Sequence, residues 1–311
     1  MVNDNPLVTV NILSFNRKEE LRNTLTKVYE QDYKNIEVIV VDNASEDGSP
    51  EMVENDFPDV KLIRLEKNIG IAGWNRGFEI AKGEYILVLD DDSYPVKNTI
   101  SHGIKYFDYE KIGIIALSIY NNYLQLYETE NYDEYPLGFI GCGALIKRKV
   151  FDDVGYYDEN IFLYHNELDF SLRTLDRDWL LFIANDAKVI HNYSSESRFA
   201  QSKNLLCTGF RYENYFKSMW IVIWKNTNGF MRVWLLSKWM INRIIIALCW
   251  GYWSEFLRAL RFNYSIISKM NEKNNFVKYP IQKRFSKVIK IIDRDYFRRP
   301  IKTLKNILFL K

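Results

Sequence analysis

Apolar residues in the first ninety positions fall in short, nearly unbroken runs separated by stretches with helical spacing. Residues 7–13 form a β-rich run. Residues 19–31 place Leu21, Leu25 and Val28 on one face at i, i+4, i+7, the spacing of a helix. Residues 36–41, 60–65 and 85–89 are further strand-like runs, with short helices expected after Pro50 and over 73–81. Strands without polar alternation, separated by helices, predict a mostly parallel central sheet covered on both faces. Beyond it the pattern predicts a helix over 98–109 and strands over 112–119 and 139–146. A helix over 166–176, burying Leu168, Leu172 and Leu175, and strands over 179–183 and 187–191 follow. Residues 193–204 are polar and Ser-rich, as in a loop. From Tyr215 the chain changes to long aromatic-rich helices. Two regions are therefore expected, an α/β unit over 1–215 and a helical extension over 216–311.

In parallel sheets ligands sit beyond the carboxyl ends of the strands. The polar residues gather there: Ser14 and Asn16 after the first strand, Asp42 and Asn43 after the second, Asp90, Asp91 and Asp92 after the fourth. Three consecutive carboxylates are electrostatically awkward. If the chain stays extended, Asp90 and Asp92 project to one side. Two carboxylates ~5 Å apart repel by roughly 3 kcal/mol at an effective dielectric of about 20, and a divalent cation reverses that sign. Hard oxygen donors suit Mg²⁺ or Mn²⁺ completed by diphosphate oxygens. The plainer alternative is a solvated acidic turn before Pro95.

Composition narrows the class. Apolar residues make up 47% of the 311 and charged residues 26%, as in ordinary globular proteins. Three unpaired-looking cysteines, Cys142, Cys207 and Cys249, suggest a reducing compartment. The N-terminus carries no basic patch followed by an apolar stretch, so no signal peptide is expected. Charge is divided sharply: 24 Lys/Arg against 36 Asp/Glu in residues 1–230, and 18 against 4 in residues 231–311. Six of the eight tryptophans lie between Trp220 and Trp253, and their longest uncharged run, 244–254, is too short to span ~30 Å of hydrocarbon. Aromatics among cations suit an anionic membrane interface, or equally packing against the α/β unit or a second subunit.

Five motifs in order give the chain a family likeness. Asn11-Ile-Leu-Ser-Phe-Asn-Arg, Val41-Asp-Asn-Ala-Ser-Glu-Asp-Gly-Ser, Asn68-Ile-Gly-Ile-Ala-Gly-Trp-Asn-Arg-Gly, Asp90-Asp-Asp-Ser-Tyr-Pro, and Gly141-Cys-Gly-Ala-Leu-Ile-Lys-Arg followed by Val154-Gly-Tyr-Tyr-Asp-Glu span residues 7–195. Together they resemble glycosyltransferase family 2 with its GT-A fold, most of all the bacterial rhamnosyl- and galactofuranosyl-type branch. The resemblance implies an inverting, metal-dependent transfer of sugar from a UDP- or dTDP-linked donor to a glycan or lipid-linked glycan, as in polysaccharide biosynthesis. It implies that Asp42 faces the pyrimidine and that Ser14, Asn16, Asn43, Asn68, Gly70, Gly73, Asn75, Asp90 and Asp91 surround the donor. Arg76 would meet the diphosphate or be a surface cation. Asp92, Asp90 and His191 would hold Mn²⁺ or Mg²⁺, and Gly141, Gly143 and His165 would lie on the acceptor side.

Inversion needs one carboxylate to deprotonate the acceptor hydroxyl, with the metal stabilising the departing diphosphate. The family carries Glu-Asp ahead of a second Asp, whereas this chain reads Asn166-Glu-Leu-Asp. Glu167 is therefore the expected base. Asp169 is the alternative, although its i, i+4 spacing from Arg173 favours a structural pairing. The expected setting is cytoplasmic, peripheral at the inner face of the cell membrane. No nucleic-acid partner is expected, and oligomerisation stays open. Two rivals remain. A sugar-nucleotide nucleotidyltransferase would want a Gly-rich loop after the first strand, where Ser14-Phe-Asn-Arg has none. A catalytically degenerate membrane scaffold is kept in play by the departure at Asn166 and Glu167.

Overall fold

The first strand, β1 (Val8–Ser14), has Val8, Val10 and Ile12 wholly buried on one side and Thr9 and Asn11 on the other. Such a strand must be covered on both faces. The computed structural model describes residues 5–130, 133–134, 136–192, 209–270 and 276–287. After β1 come α1 (Lys18–Tyr29), β2 (Ile36–Asp42), α2 (Ser49–Asp56), β3 (Lys61–Arg64), α3 (Trp74–Ile80) and β4 (Tyr85–Asp90). Strands β3, β2, β1 and β4 are parallel neighbours. Beside β4 run β8 (Ala144–Lys147), β6 (Ile112–Asn121), β9 (Leu180–His191) and the short β5 (Ser93–Pro95). Strands β8 and β5 are antiparallel to their neighbours, and β7 (Leu126–Tyr127) hangs on β6.

Alternate side chains feed two cores. Val8, Val10, Ile12, Val38, Val40, Leu87 and Leu89 meet Leu21, Leu25 and Val28 of α1 and Met52 and Val53 of α2. Each fully buried side chain of this kind contributes about 1.5–3 kcal/mol, an upper estimate. On the other face Ile39, Val41, Ile86 and Val88 meet Trp74 and Phe78 of α3 and Val150 and Phe151 of α5 (Arg148–Val154). Gly77 lets α3 close onto β1, since a Cβ there would collide with the Asn11 amide. That amide donates to the Trp74 carbonyl at 3.0 Å.

Several elements differ from the sequence pattern. Only 144–147 of the expected strand over 139–146 is extended. Residues 141–143 turn, and the Gly143 N–H bonds back to the Ile140 carbonyl. The two expected strands after Trp179 join as β9, whose register against β6 slips between Leu117 and Ser118. The helix expected over 98–109 breaks into α4 (Thr99–Gly103) and a 3₁₀ segment, Ile104–Asp108. The helix α6 (Asn166–Asp176) has the expected bounds, and residues 193–204 lie outside the described set.

Helices α7 (Gly209–Asn226), α8 (Gly229–Trp250) and α9 (Trp253–Lys269) share a third core of Tyr212, Phe216, Met219, Leu235, Trp239, Ile246 and Phe256. Leu172 of α6 belongs to this core, while Phe170 points into the core under the sheet. Helix α6 is thus wedged between the sheet and the C-terminal helices. By length and composition α8 could cross a bilayer, which its interrupted uncharged run did not suggest. The basic stretch after residue 287 lies outside the described residues.

Candidate active site

Ser14 and Asp42 are register partners at the carboxyl ends of β1 and β2, and Asp90 pairs with Leu13 one strand away. Ser14 is 1% and Asp42 2% exposed. Ser14 Oγ and Asp42 Oδ1 are buried without a hydrogen-bond partner, while Asp42 Oδ2 accepts from the Ser45 N–H at 3.0 Å. Leaving such groups unpaired costs about 1–3 kcal/mol each.

The neighbouring asparagines hold the loops around this pair. Asn16 sits at φ 52°, takes the Glu46 N–H at 2.7 Å and donates its own N–H to Ser45 Oγ. Asn43 donates to Asn68 Oδ1 and the Gly70 carbonyl and accepts from the Ile69 N–H. Gly70 is at φ 70°, and a Cβ there would run into the Phe162 carbonyl. A Cβ on Gly73 would meet Leu13 Cδ1 at 2.6 Å. Asn75 bonds both backbone groups of Tyr157, so its amide ties α3 to the 155–157 loop. Arg76 pairs with Glu79 and Glu159, the surface alternative of its two expected roles.

The acidic triplet does not stay extended. The Asp90 N–H bonds to Ser93 Oγ, which donates back to the Asp90 carbonyl, so the chain turns at Asp91 and Asp92. Asp91 and Asp92 both pair with Arg17, whose charge Asp90 also supports. Arg17 Nη1 lies 2.7 Å from Asp91 Oδ1 and 3.1 Å from Asp92 Oδ2, and the Phe15 N–H caps Asp91 Oδ2 at 2.9 Å. Burial pushes the Asp91 carboxyl above the usual range even against Arg17, and the Asp92 charge adds to the rise. On the far side, His191 Nε2 stands 3.5 Å from Asp92 Oδ1, and Nδ1 meets Glu128 Oε1 at 2.8 Å. Burial works against charge on this imidazole, but its bonds to Asp92 and Glu128 outweigh that and raise it to about 9.

The two candidate bases sit in opposite environments. Asp169 bonds to Arg173 at 2.9 Å, Lys225 at 3.1 Å and Asn226 at 2.9 Å. Burial alone would raise it; the charges of Lys225 and Arg173 hold it down at about 2. Glu167 has no ion pair among the described residues, and burial lifts its carboxyl to about 7, only partly opposed by its own backbone N–H. A Cβ on Gly141 would overlap Glu167 Oε1, so that glycine opens the space the carboxylate occupies. Gly143 instead packs against Ile119 and Val189, a core contact rather than an acceptor-facing one. His165, at φ 64° just before α6, meets the Tyr215 ring edge-on with centroids 4.5 Å apart, and Nε2 is buried without a hydrogen-bond partner. Burial, helped by the Arg243 charge, lowers it to about 3, so it is neutral.

The profile of glycosyl transferase family 2 matches residues 9–170, more than half of the chain. The chain belongs to glycosyl transferase family 2. Among named relatives, it is 37% identical over 109 residues to the UDP-Glc:α-D-GlcNAc-diphosphoundecaprenol β-1,3-glucosyltransferase WfaP of Escherichia coli, covering 34% of this chain and 43% of that one. It is 28% identical over 204 residues to the uncharacterised glycosyltransferase YfnE of Bacillus subtilis, covering 58% and 52%. The chain thus spans about half the length of these two relatives. Solved structures give the fold. A mannosyltransferase of Pyrobaculum calidifontis in complex with GDP-Man and Mn²⁺ superimposes with a TM-score of 0.58 at 17% identity, over 94% of this chain and 83% of that one. Residues 1–349 of Staphylococcus aureus TarS in complex with UDP-GlcNAc give 0.60 at 16%, over 82% and 80%. The α/β unit of this family 2 chain is therefore a GT-A fold carrying a helical extension.

The donor set of this family 2 site suits a hard divalent cation in part. Two neighbouring ligands of an octahedral ion with ~2.1 Å bonds stand about 3 Å apart, close to the 3.5 Å between Asp92 Oδ1 and His191 Nε2. Glu128 on Nδ1 fixes the ring as carboxylates behind metal-binding histidines do. No three His, Cys, Asp or Glu side chains converge on one point among the described residues, so diphosphate oxygens would have to complete the shell. Sequence reasoning missed Arg17 and Glu128. It also missed Tyr157, whose buried hydroxyl has no hydrogen-bond partner and feels the charges of Glu167 and Asp90. Arg17 closes the first motif, and its position there was the one available signal.

Proposed function

We propose that the chain is an inverting, metal-assisted glycosyltransferase using a UDP- or dTDP-sugar, with residues 1–215 as the catalytic unit and 216–311 as a helical attachment. Asp42 and Ser14 receive the nucleotide, their buried unpaired oxygens facing its polar edge. Asp92 and His191 would hold Mn²⁺ or Mg²⁺, which would neutralise charge on the departing nucleoside diphosphate. Glu167 takes the proton from the acceptor hydroxyl as that oxygen bonds to the anomeric carbon and the bond to the diphosphate breaks. The observation that carries this assignment is the contrast between the two carboxylates of α6. A base should be ionised near neutral pH yet willing to take a proton. Glu167, lifted to about 7, meets that requirement, and Asp169, held at about 2 by two cations, does not.

The acceptor is a glycan carried on a membrane lipid, at the inner face of the cell membrane. The diphosphoundecaprenol acceptor in the name of the E. coli relative supports this choice. The test is transfer from UDP- and dTDP-sugars to a lipid-diphosphate GlcNAc acceptor, with Mn²⁺ or with chelator, and the anomeric configuration of the product read by NMR. Inverted product that disappears in chelator, and with Asp92→Asn, is expected. Full activity in chelator removes the metal from the reading, and retained configuration removes the single-base mechanism. No turnover of any nucleotide sugar leaves the degenerate scaffold.

A further inference from the structure

Helix α8 carries an uncovered apolar stripe along its whole length. Phe230 is 84%, Val233 63%, Ile241 61% and Leu248 68% exposed, with Ile245 and Ser237 completing one face at steps of three and four. At 1.5 Å per residue the 22-residue helix is about 33 Å long. After the left-handed turn at Gly251, α9 also exposes apolar side chains at Trp253, Leu257 and Tyr264. Contiguous exposed apolar surface of this extent marks an interaction site.

The opposite face of α8 is fixed in the protein. Leu235, Trp239, Asn242, Arg243, Ile246 and Ala247 are buried, and the Arg243 guanidinium stacks 4.2 Å over the Trp239 ring. A bilayer-spanning α8 would have to give up these contacts, so only its outer half is available to a partner. Charge selects that partner. With Arg243 buried, α8 and α9 present Arg232, Lys238, Arg258, Arg261 and Lys269 at least in part to solvent, against Glu255 and the Glu213 of α7, both of which pair with Arg258. A second copy would bring two such cationic faces together, whereas anionic lipid complements them.

We infer that the outer face of α8, with the exposed apolar side chains of α9, is an in-plane seat on the surface of an anionic bilayer. The inference deepens the proposed attachment of this enzyme to the membrane that carries its acceptor, and rests on that reading. Aromatic and aliphatic side chains enter the boundary between headgroups and acyl chains while the exposed Arg261 and Lys269 reach phosphates. The seat is tied to the catalytic helix. On α7, Ser218 Oγ donates to the Leu163 carbonyl, and Lys225 and Asn226 hold Asp169, two residues beyond Glu167. A bilayer docked on α8 is thereby held at a set orientation to the proposed base.

The test uses the full chain and vesicles of phosphatidylglycerol and phosphatidylcholine. Wild type should sediment with them at low salt and be released in part at high salt, without detergent. Brominated lipids should quench its tryptophan fluorescence. Val233→Glu with Ile241→Glu should weaken partitioning about tenfold or more. Its melting temperature and its donor hydrolysis in solution should stay at wild-type values, which separates failure of the seat from failure of the enzyme reading. Four results overturn the inference: no quenching of wild type, variant binding equal to wild type, extraction by detergent alone, or a wild-type dimer that the double substitution turns into monomer.

Discussion

Replacing Glu167 by Gln should make the protein more stable and nearly inactive, and both effects have a calculable size. Burial raises the Glu167 carboxyl from an ordinary 4.5 to about 7. One pKa unit corresponds to about 1.4 kcal/mol, so the ionised carboxylate costs the folded state up to about 3 kcal/mol. The sign follows from linkage. The folded state holds this proton more tightly than the unfolded chain, so the cost is absent below about pH 4.5. It grows between 4.5 and 7 and is complete above 7. Glu167→Gln should therefore match wild type at pH 4 and exceed it by about 2–3 kcal/mol at pH 8 in denaturant unfolding. Turnover, followed as nucleoside diphosphate release with acceptor present, should fall roughly 10²–10⁴-fold. Wild-type turnover should rise about tenfold per pH unit up to about 7 and then level off. The stability arm needs no substrate. If the variant is no more stable at pH 8, the carboxylate is better solvated than its surroundings indicate. If it turns over normally while a folded Asp169→Asn does not, the base is Asp169.

Asp169→Asn should lose about 2–3 kcal/mol at pH 7, because Arg173 and Lys225 lose their shared carboxylate. With the native group held at about 2, that loss should shrink as pH falls from 4 towards 2, measured by thermal unfolding. Arg17→Met leaves two buried carboxylates without their guanidinium and should cost about 3–5 kcal/mol. Mn²⁺ should then raise the melting temperature more than it does in wild type, and an equal shift would detach Arg17 from the cation site. Gly141→Ala should displace the Glu167 carboxylate and cut turnover roughly 10–10²-fold with nucleotide affinity unchanged by calorimetry.

Local periodicity made most of the sheet legible. Runs such as Ile36–Asp42 and Tyr85–Asp90 are apolar on both faces because parallel strands here are covered twice, and that condition is written in consecutive residues. The failures fall where long-range contact decides local shape. Phe139 and Ile140 look like strand, but Gly141 has to pass the Glu167 side chain, so the chain turns before β8 begins. Strand β5 was invisible because its three residues are extended only through pairing with β9, nearly a hundred positions later. The two strands expected over 179–183 and 187–191 run on as the single strand β9, which keeps its pairing with β6 across a register slip at Ser118 that no local pattern encodes.

Chemistry at the site was legible by residue type and less so by arrangement. Alternation along an extended chain pairs Asp90 with Asp92, but the Ser93 hydroxyl bonds both backbone groups of Asp90 and folds the triplet into a turn. The turn brings Asp91 and Asp92 to Arg17 from one side and Asp92 to His191 from the other, so one carboxylate belongs to two charge systems. The same limit applies on α6. Spacing alone relates Asp169 to Arg173, but Lys225 and Asn226 arrive from a helix more than fifty residues away. Those contacts separate the roles of two carboxylates that are chemically alike and only two positions apart. With both cations on Asp169, Glu167 keeps a proton-accepting carboxylate that nothing among the described residues neutralises, and its protonation is left to burial alone.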